Sequence, residues 1–173
     1  MEFQIRKASK ADLPGILEIV NHEIQHSASI YDYAERSLEQ QTAWFQEKQN
    51  NHYPVWVAET KHQILGFGTY GIFRPKEGYK FCVEHSIYIH HEHQGKGIGK
   101  QMMTQLIRSA QEQNIHSMIA GIDASNQGSI NFHKQFGFIE TGTLKEVGFK
   151  FGKWLDLTFM QLTLPLSTTQ HPH

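Results

Sequence analysis

The sequence predicts a mixed α/β (α+β) fold in which a central sheet is covered by helices. Three observations carry this: short apolar stretches with strand texture gathered in the middle and last third, helical periodicity before and between them, and turn signals at the boundaries. At 173 residues the chain is long enough for one domain with a sizeable core. The reading takes residues 1–166 as that domain and 167–173 as a frayed, disordered tail.

Phe3 and Ile5 alternate with polar neighbours, as in a short strand. Ser9 with Asp12 is a capping-box signal, opening a helix that runs to about His26 with Leu13, Ile16, Leu17, Val20 and Ile24 at helical spacing. Pro14 falls in its first turn, where the missing N–H costs little. Ser37 and Gln40 form a second such signal ahead of a helix carrying Trp44 and Phe45, both read as core. Past Pro54 the texture turns to strands at 55–58, 64–72 and 81–90, with a loop at 74–80 that contains Pro75 and Gly78. Residues 97–113 are helical, with Met102, Met103, Leu106, Ile107 and Ala110 on one face. A strand at 117–122, a loop at 123–128, a short helix at 129–136 and strands around 139–147 and 154–164 complete the chain.

Composition narrows the function. Lys plus Arg 16 against Asp plus Glu 17 leaves no global field for nucleic acid or an anionic membrane, so any anion site is local. Apolar runs such as 55–58 are far below the roughly 20 residues that a membrane helix needs. A single cysteine, Cys82, excludes an intrachain disulfide framework, and the first residues lack the apolar core of a signal peptide. A cytoplasmic protein with neither nucleic-acid nor membrane partners is expected.

The decisive stretch is Gln94-Gly95-Lys96-Gly97-Ile98-Gly99, between an apolar strand and an amphipathic helix. Glycines let the backbone approach a ligand, and the N–H groups at the helix start are unsatisfied donors backed by the helix dipole. A pyrophosphate fits this chemistry; a ligand-free glycine turn is the bland alternative. A Walker A loop fails, because Gln94 and Gln101 stand where glycine and Ser or Thr belong around Gly99-Lys100. A dinucleotide fingerprint also fails, since Lys100 occupies its third small position.

What remains, Gln94, Gly97 and Gly99, resembles the Gln/Arg-x-x-Gly-x-Gly/Ala pyrophosphate loop of the GNAT superfamily of N-acetyltransferases. Two further segments resemble its branch that acetylates phosphinothricin, methionine sulfoximine or methionine sulfone. One is Asn126-Gln127-Gly128-Ser129-Ile130-Asn131-Phe132-His133 followed by Phe136-Gly137-Phe138, with His133 where other members place tyrosine. The other is 148–156, similar to Gly-x-Lys-Phe-Gly-Arg-Trp-Leu-Asp, in which Lys153 departs from the arginine and loses its planar fork.

The resemblance implies the GNAT fold, a central mixed, mostly antiparallel sheet flanked by helices, with a gap where the fourth and fifth strands splay apart to receive pantetheine. Acetyl-CoA is the implied co-substrate, with no metal expected. The backbone of Ile87, Tyr88 and Ile89 would bind the pantetheine arm, Gln94, Gly95, Lys96, Gly97, Ile98 and Gly99 the pyrophosphate, and Asn126 the arm farther along. Core packing is the alternative for Ile87 and Ile89. Val83-Glu84-His85-Ser86 resembles the segment whose glutamate is the proposed base; the alternative for Glu84 is a solvent-facing edge carboxylate. His133 is the candidate proton donor to the departing thiolate, or only packs on its helix. The acceptor loop is 73–79, with Arg74 chosen to clamp a carboxylate, Lys76 and Tyr79 beside it, and Val83 and His85 as further substrate contacts. An exposed loop cation is the alternative for Arg74. A homodimer is carried over on the same basis.

His90-His91-Glu92-His93 does not form His-Glu-x-x-His and is read as a solvated loop. Cys82 lacks a base partner at suitable spacing, so direct attack in a ternary complex is preferred to a covalent intermediate. The expected reaction is acetylation of the primary amine of a small amino-acid-like substrate. The alternatives are a protein N-terminal or lysine acetyltransferase and a non-catalytic acyl-CoA sensor.

Overall fold

The computed structural model describes residues 2–61 and 63–165; the expected tail at 167–173 lies outside them. Two compact units emerge, one from Met1–Gly71 and His85–Ser109, the other from Ile72–Glu84 and Ala110–His173.

In the first unit, strands β1 (Gln4–Lys7), β2 (Val55–Glu59) and β3 (Ile64–Ile72) are followed in sheet order by β4 (Cys82–Ile89), whose last five residues belong here. β1 with β2 and β2 with β3 are antiparallel. Alternation along β2 divides the core between two faces. Val55 and Val57 join Phe67 beneath helices α1 (Leu13–His26) and α2 (Leu38–Asn50), where Ile16, Ile19, Val20, Ile24 and Phe45 are buried. Trp56 and Ala58 face the other way with Leu65, Ile98 and Met102, the last two from α3 (Ile98–Glu112). Each fully buried side chain of this kind contributes roughly 1.5–3 kcal/mol of transfer free energy. At Gly68 an added Cβ would meet Met102 Cγ at 2.6 Å, so glycine there lets α3 lie close on β3. Trp44 is half-buried against the α1 side, where the sequence reading places it in the core.

The first helix begins later than its capping signal. Residues Lys10–Asp12 form a 3₁₀ turn, and Leu13 N–H donates to Lys10 O. In an α-helix starting at Lys10 the Lys10 carbonyl would need the N–H of Pro14 as its i to i−4 donor, and proline has none. Asp12 accepts from Ser9 N–H at 2.7 Å and from both terminal nitrogens of Arg6 at 2.7 and 2.8 Å. The Arg6 hydrogen bonds, ahead of those from Ser9, hold its carboxyl at about 2.

In the second unit the order is β4, β5 (Ser117–Asp123), β7 (Lys153–Thr163), β6 (Ile139–Lys150). β5 with β7 and β6 with β7 are antiparallel; β4 with β5 is parallel, giving the expected mixed pattern. The β4–β5 ladder covers Cys82, Val83 and Glu84, and β5 runs beside β7 from Ser117 to Asp123. Helix α4 (Gln127–Lys134) starts two residues before the expected position because the Asn126 side chain accepts from Ser129 N–H at 3.0 Å and caps it. β6 extends past 147 to a two-residue turn at Phe151 and Gly152, both at positive φ (52° and 74°), the hand that matches strand twist in a hairpin. No helix among the described residues is long and apolar enough to cross a membrane.

Candidate active site

The 94–99 loop lies in the first unit. Gly95 and Gly97 have φ of +73° and +81°, a region costly for other residues, and a Cβ added at either would meet nothing within 4 Å. The loop delivers the chain into the N-terminus of the 15-residue α3, whose first N–H groups have no intrahelical acceptor. Open space above positive-φ glycines, next to a helix N-terminus, is an arrangement that could hold an anion. Lys96 folds back, donating to Glu92 O at 2.8 Å, while Gln94 Nε2 reaches Ile89 O only at 3.5 Å.

Upstream in the same unit, Ile87 and Ile89 pack on the α3 side and Tyr88 on the α1 side, with its ring 5.4 Å from that of Phe67. These side chains are committed to packing, which leaves the strand's main chain as the part able to bind a ligand.

The second unit carries the acid–base and acceptor candidates. Glu84 is half-buried in β4, and burial pushes its carboxyl above the ordinary range. Its Oε1 lies over β5 at Gly121, where an added Cβ would be 2.9 Å from that oxygen, 3.5 Å from Leu157 and 3.8 Å from the Phe159 ring. Phe159 contacts Phe73 edge-to-face at 6.2 Å, and Phe73 in turn contacts Tyr79 at 6.0 Å. The Arg74 guanidinium sits 5.4 Å from the centre of the Phe73 ring. An aromatic chain therefore leads from the carboxylate to the loop bearing Arg74, Lys76 and Tyr79, all three exposed. A 3₁₀ turn, Glu77–Tyr79, shapes that loop where only irregular chain is expected. Gly121 and Phe159 carry one sequence signal between them, a glycine interrupting an apolar strand; Phe159 becomes legible only through its register opposite Gly121.

Some expected members stand apart. Val83 is 1% exposed, and alternation puts Val83 and His85, both buried, on the strand face opposite Glu84. Asn126 is exposed, with its side-chain oxygen engaged at the α4 cap. His133 is buried, Nδ1 donates to Ser129 O at 2.7 Å, and the ring meets Phe132 and Phe138 edge-on at 5.4 and 5.2 Å. Burial lowers its pKa against a smaller upward effect of that hydrogen bond, so the ring is neutral near pH 7 and its Nε2 is an acceptor. Cys82 is half-buried, and burial pushes its thiol up, away from a nucleophilic thiolate.

Comparison with known proteins places the chain among acetyltransferases. An L-methionine sulfoximine/L-methionine sulfone acetyltransferase of Salmonella typhimurium is 42% identical over 160 residues, 92% of this chain and 94% of its own. The crystal structure of a GNAT superfamily phosphinothricin acetyltransferase from Sinorhizobium meliloti in complex with AcCoA superposes with a TM-score of 0.94 at 34% identity, covering 100% of this chain and 94% of that one. A ribosomal-protein-alanine N-acetyltransferase from Brucella melitensis superposes with a TM-score of 0.92 at 43% identity, covering 93% and 99%. The sequence profile of the acetyltransferase (GNAT) family matches residues 17–138. With seven strands and four α-helices among the described residues, a glycine loop opening α3 and a family profile over residues 17–138, this chain belongs to the acetyltransferase (GNAT) family.

Proposed function

We propose that the chain transfers the acetyl group of acetyl-CoA to the primary amine of a free amino acid of the methionine sulfoximine, methionine sulfone or phosphinothricin type. The observation that carries the reading is the Glu84 carboxylate, raised in pKa by burial and joined through Phe159 and Phe73 to a loop with an exposed arginine. The Salmonella relative's activity supports the acceptor class, and the Sinorhizobium structure supports the co-substrate.

In the transfer an N–C bond forms as the C–S bond breaks, the amine gives up a proton, and CoA leaves as its thiolate, which takes a proton from solvent. A free α-amine of pKa about 8 is mostly protonated at neutral pH, so a nearby base is useful. Glu84 takes that role, directly or through water. Gln94, Gly95, Lys96, Gly97, Ile98 and Gly99 hold the pyrophosphate, and the main chain of Ile87, Tyr88 and Ile89 holds the pantetheine arm. Asn126 can offer the arm its amide nitrogen while its oxygen caps α4. Arg74 reads the acceptor carboxylate, with Lys76 and Tyr79 at the loop's edge. Donation from His133 to a thiolate requires the imidazolium, which burial opposes; the packing role is the one its surroundings support. The placement of Val83 and His85 likewise supports packing rather than acceptor contact.

Residues 1–166 act as one acetyltransferase domain in this reading, in the cytoplasm, without nucleic acid or membrane partners and with no metal in the transfer itself. A homodimer is favoured by the exposed apolar residues Leu144, Val147, Phe149, Phe151 and Trp154 of the β6–β7 hairpin. A second reading, acetylation of protein N-termini, is favoured by the Brucella neighbour's activity. A thiol-release assay with acetyl-CoA over free amino acids and N-terminal peptides separates them. Turnover with methionine sulfone, methionine sulfoximine or phosphinothricin and none with peptides is expected. Turnover with peptides alone would replace the first reading by the second, and acetyl-CoA binding without any turnover would leave a sensor.

A further inference from the structure

The turn entering the 94–99 loop has a use that acetyl transfer does not require. The sequence reading takes His90-His91-Glu92-His93 as a solvated loop, but His90 is only 5% exposed. Residues His91–His93 form a 3₁₀ turn with His90 as its N-cap. In a 3₁₀ turn, residues three apart eclipse one another, so His90 and His93 share one face, with ring centres 5.4 Å apart. A spacing unsuited to an α-helical His-Glu-x-x-His pair thus still brings two imidazoles together.

One ligand atom from each of His90, Glu92 and His93 lies within 4.8 Å of the others. His90 Nε2 and His93 Nε2 face the two ends of one side-chain amide, that of Gln63, at 3.3 and 3.1 Å. Glu18 Oε1 is 3.6 Å from His90 Nε2. Lys96 approaches His93 at its other nitrogen, Nδ1, at 3.2 Å; a metal at His93 Nε2 puts the ring proton on Nδ1, so this contact is given up and the Lys96 ammonium turns away. Tetrahedral zinc with bonds near 2.0–2.1 Å holds its ligand atoms about 3.3 Å apart, so the cluster must tighten by on the order of 1 Å. A metal at His90 Nε2 puts the ring proton on Nδ1 and sacrifices the hydrogen bond from Glu92 N–H, which at 3.3 Å is long and weak.

We propose that His90, Glu92 and His93 form a binding site for a divalent transition-metal ion of the zinc type, with Gln63 or Glu18 within reach as the fourth ligand. Two imidazoles with a carboxylate or amide oxygen are the ligand set such ions select over magnesium or calcium. The ion would brace the turn from which the loop starts, and no step of the acetyl transfer passes through it.

The test is calorimetric titration of Zn²⁺ into the metal-free chain carrying no affinity tag, with visible absorption of the Co²⁺ form reporting tetrahedral coordination. One saturable equivalent is expected. His93→Asn, at a half-buried position, should weaken it by more than the roughly 10-fold that a second-shell change costs, and Glu92→Gln should weaken it measurably. Because the chain holds 12 histidines, His116→Asn at an exposed site of the second unit is the control and should bind normally. Absence of a saturable equivalent, undiminished affinity in His93→Asn, or equal losses in His93→Asn and His116→Asn would each overturn the proposal.

Discussion

Glu84 and Gly121 are fitted to one another: the carboxylate occupies the space that a side chain on Gly121 would fill, with Oε1 2.9 Å from the position of an added Cβ. The obstructed atom is the far end of a flexible side chain, so Gly121→Ala should shift the carboxylate rather than unfold the unit. Misplacing a catalytic group by about 1 Å can cost up to 100-fold. A fall in kcat of roughly 10-fold or more with a melting temperature close to wild type is expected. Unchanged kcat would show that the base, if Glu84 is one, tolerates displacement.

Replacing the carboxylate itself should change the pH profile. A base works when deprotonated, so with Glu84 in that role wild-type kcat/KM should rise with pH through a limb set above the ordinary carboxylate range. Glu84→Gln should lose that limb and fall about 10- to 1,000-fold at neutral pH. Its residual rate should recover as the amine deprotonates unaided, near pH 8 and above. A wild-type-like profile in the variant would remove Glu84 from the chemistry.

Gly97→Val tests the loop. At φ of +81° a β-branched residue is strained, and its side chain would enter the open space assigned to the pyrophosphate. Acetyl-CoA affinity by calorimetry should drop severely while circular dichroism stays native. A folded variant with intact affinity would contradict the assignment.

Arg74→Ala should raise KM for the amino acid by roughly 30- to 150-fold, corresponding to about 2–3 kcal/mol for a charge-assisted contact, with little change in kcat. Arg74→Lys should recover part of this, since it keeps the charge but not the fork. An acceptor with its carboxylate converted to an uncharged amide should be used almost equally by wild type and Arg74→Ala. Equal losses for both acceptors would assign Arg74 to loop structure instead.

The Arg6–Asp12 pair gives a stability signature. Its carboxyl is held near 2 against an ordinary 3.8, so its contribution is complete above about pH 4 and is lost as pH falls toward 2. Arg6 is about one-third exposed, and solvent screening reduces the effect. Asp12→Asn should cost about 1–2 kcal/mol in denaturant titration at pH 7, and the difference should shrink as pH falls through about 2 and vanish below it. A penalty independent of pH would indicate a packing defect.

The sequence by itself determined the element order, the helix faces and the glycine loop, because these depend on short-range chemistry. Leu13 to Ile24 repeat at helical spacing, Ser37 and Gln40 cap α2 as their types demand, and Gly95 and Gly97 adopt the positive φ that favours glycine. Tertiary structure decided what depends on register and burial. The pairing of Gly121 with Phe159 sets the wall beside Glu84, and alternation along β4 turns Val83 away from it. The tautomer of His133 follows from a carbonyl one helical turn earlier. His90 and His93 meet because their turn is 3₁₀, a difference of 0.6 residues per turn that no spacing rule reveals before the chain has folded.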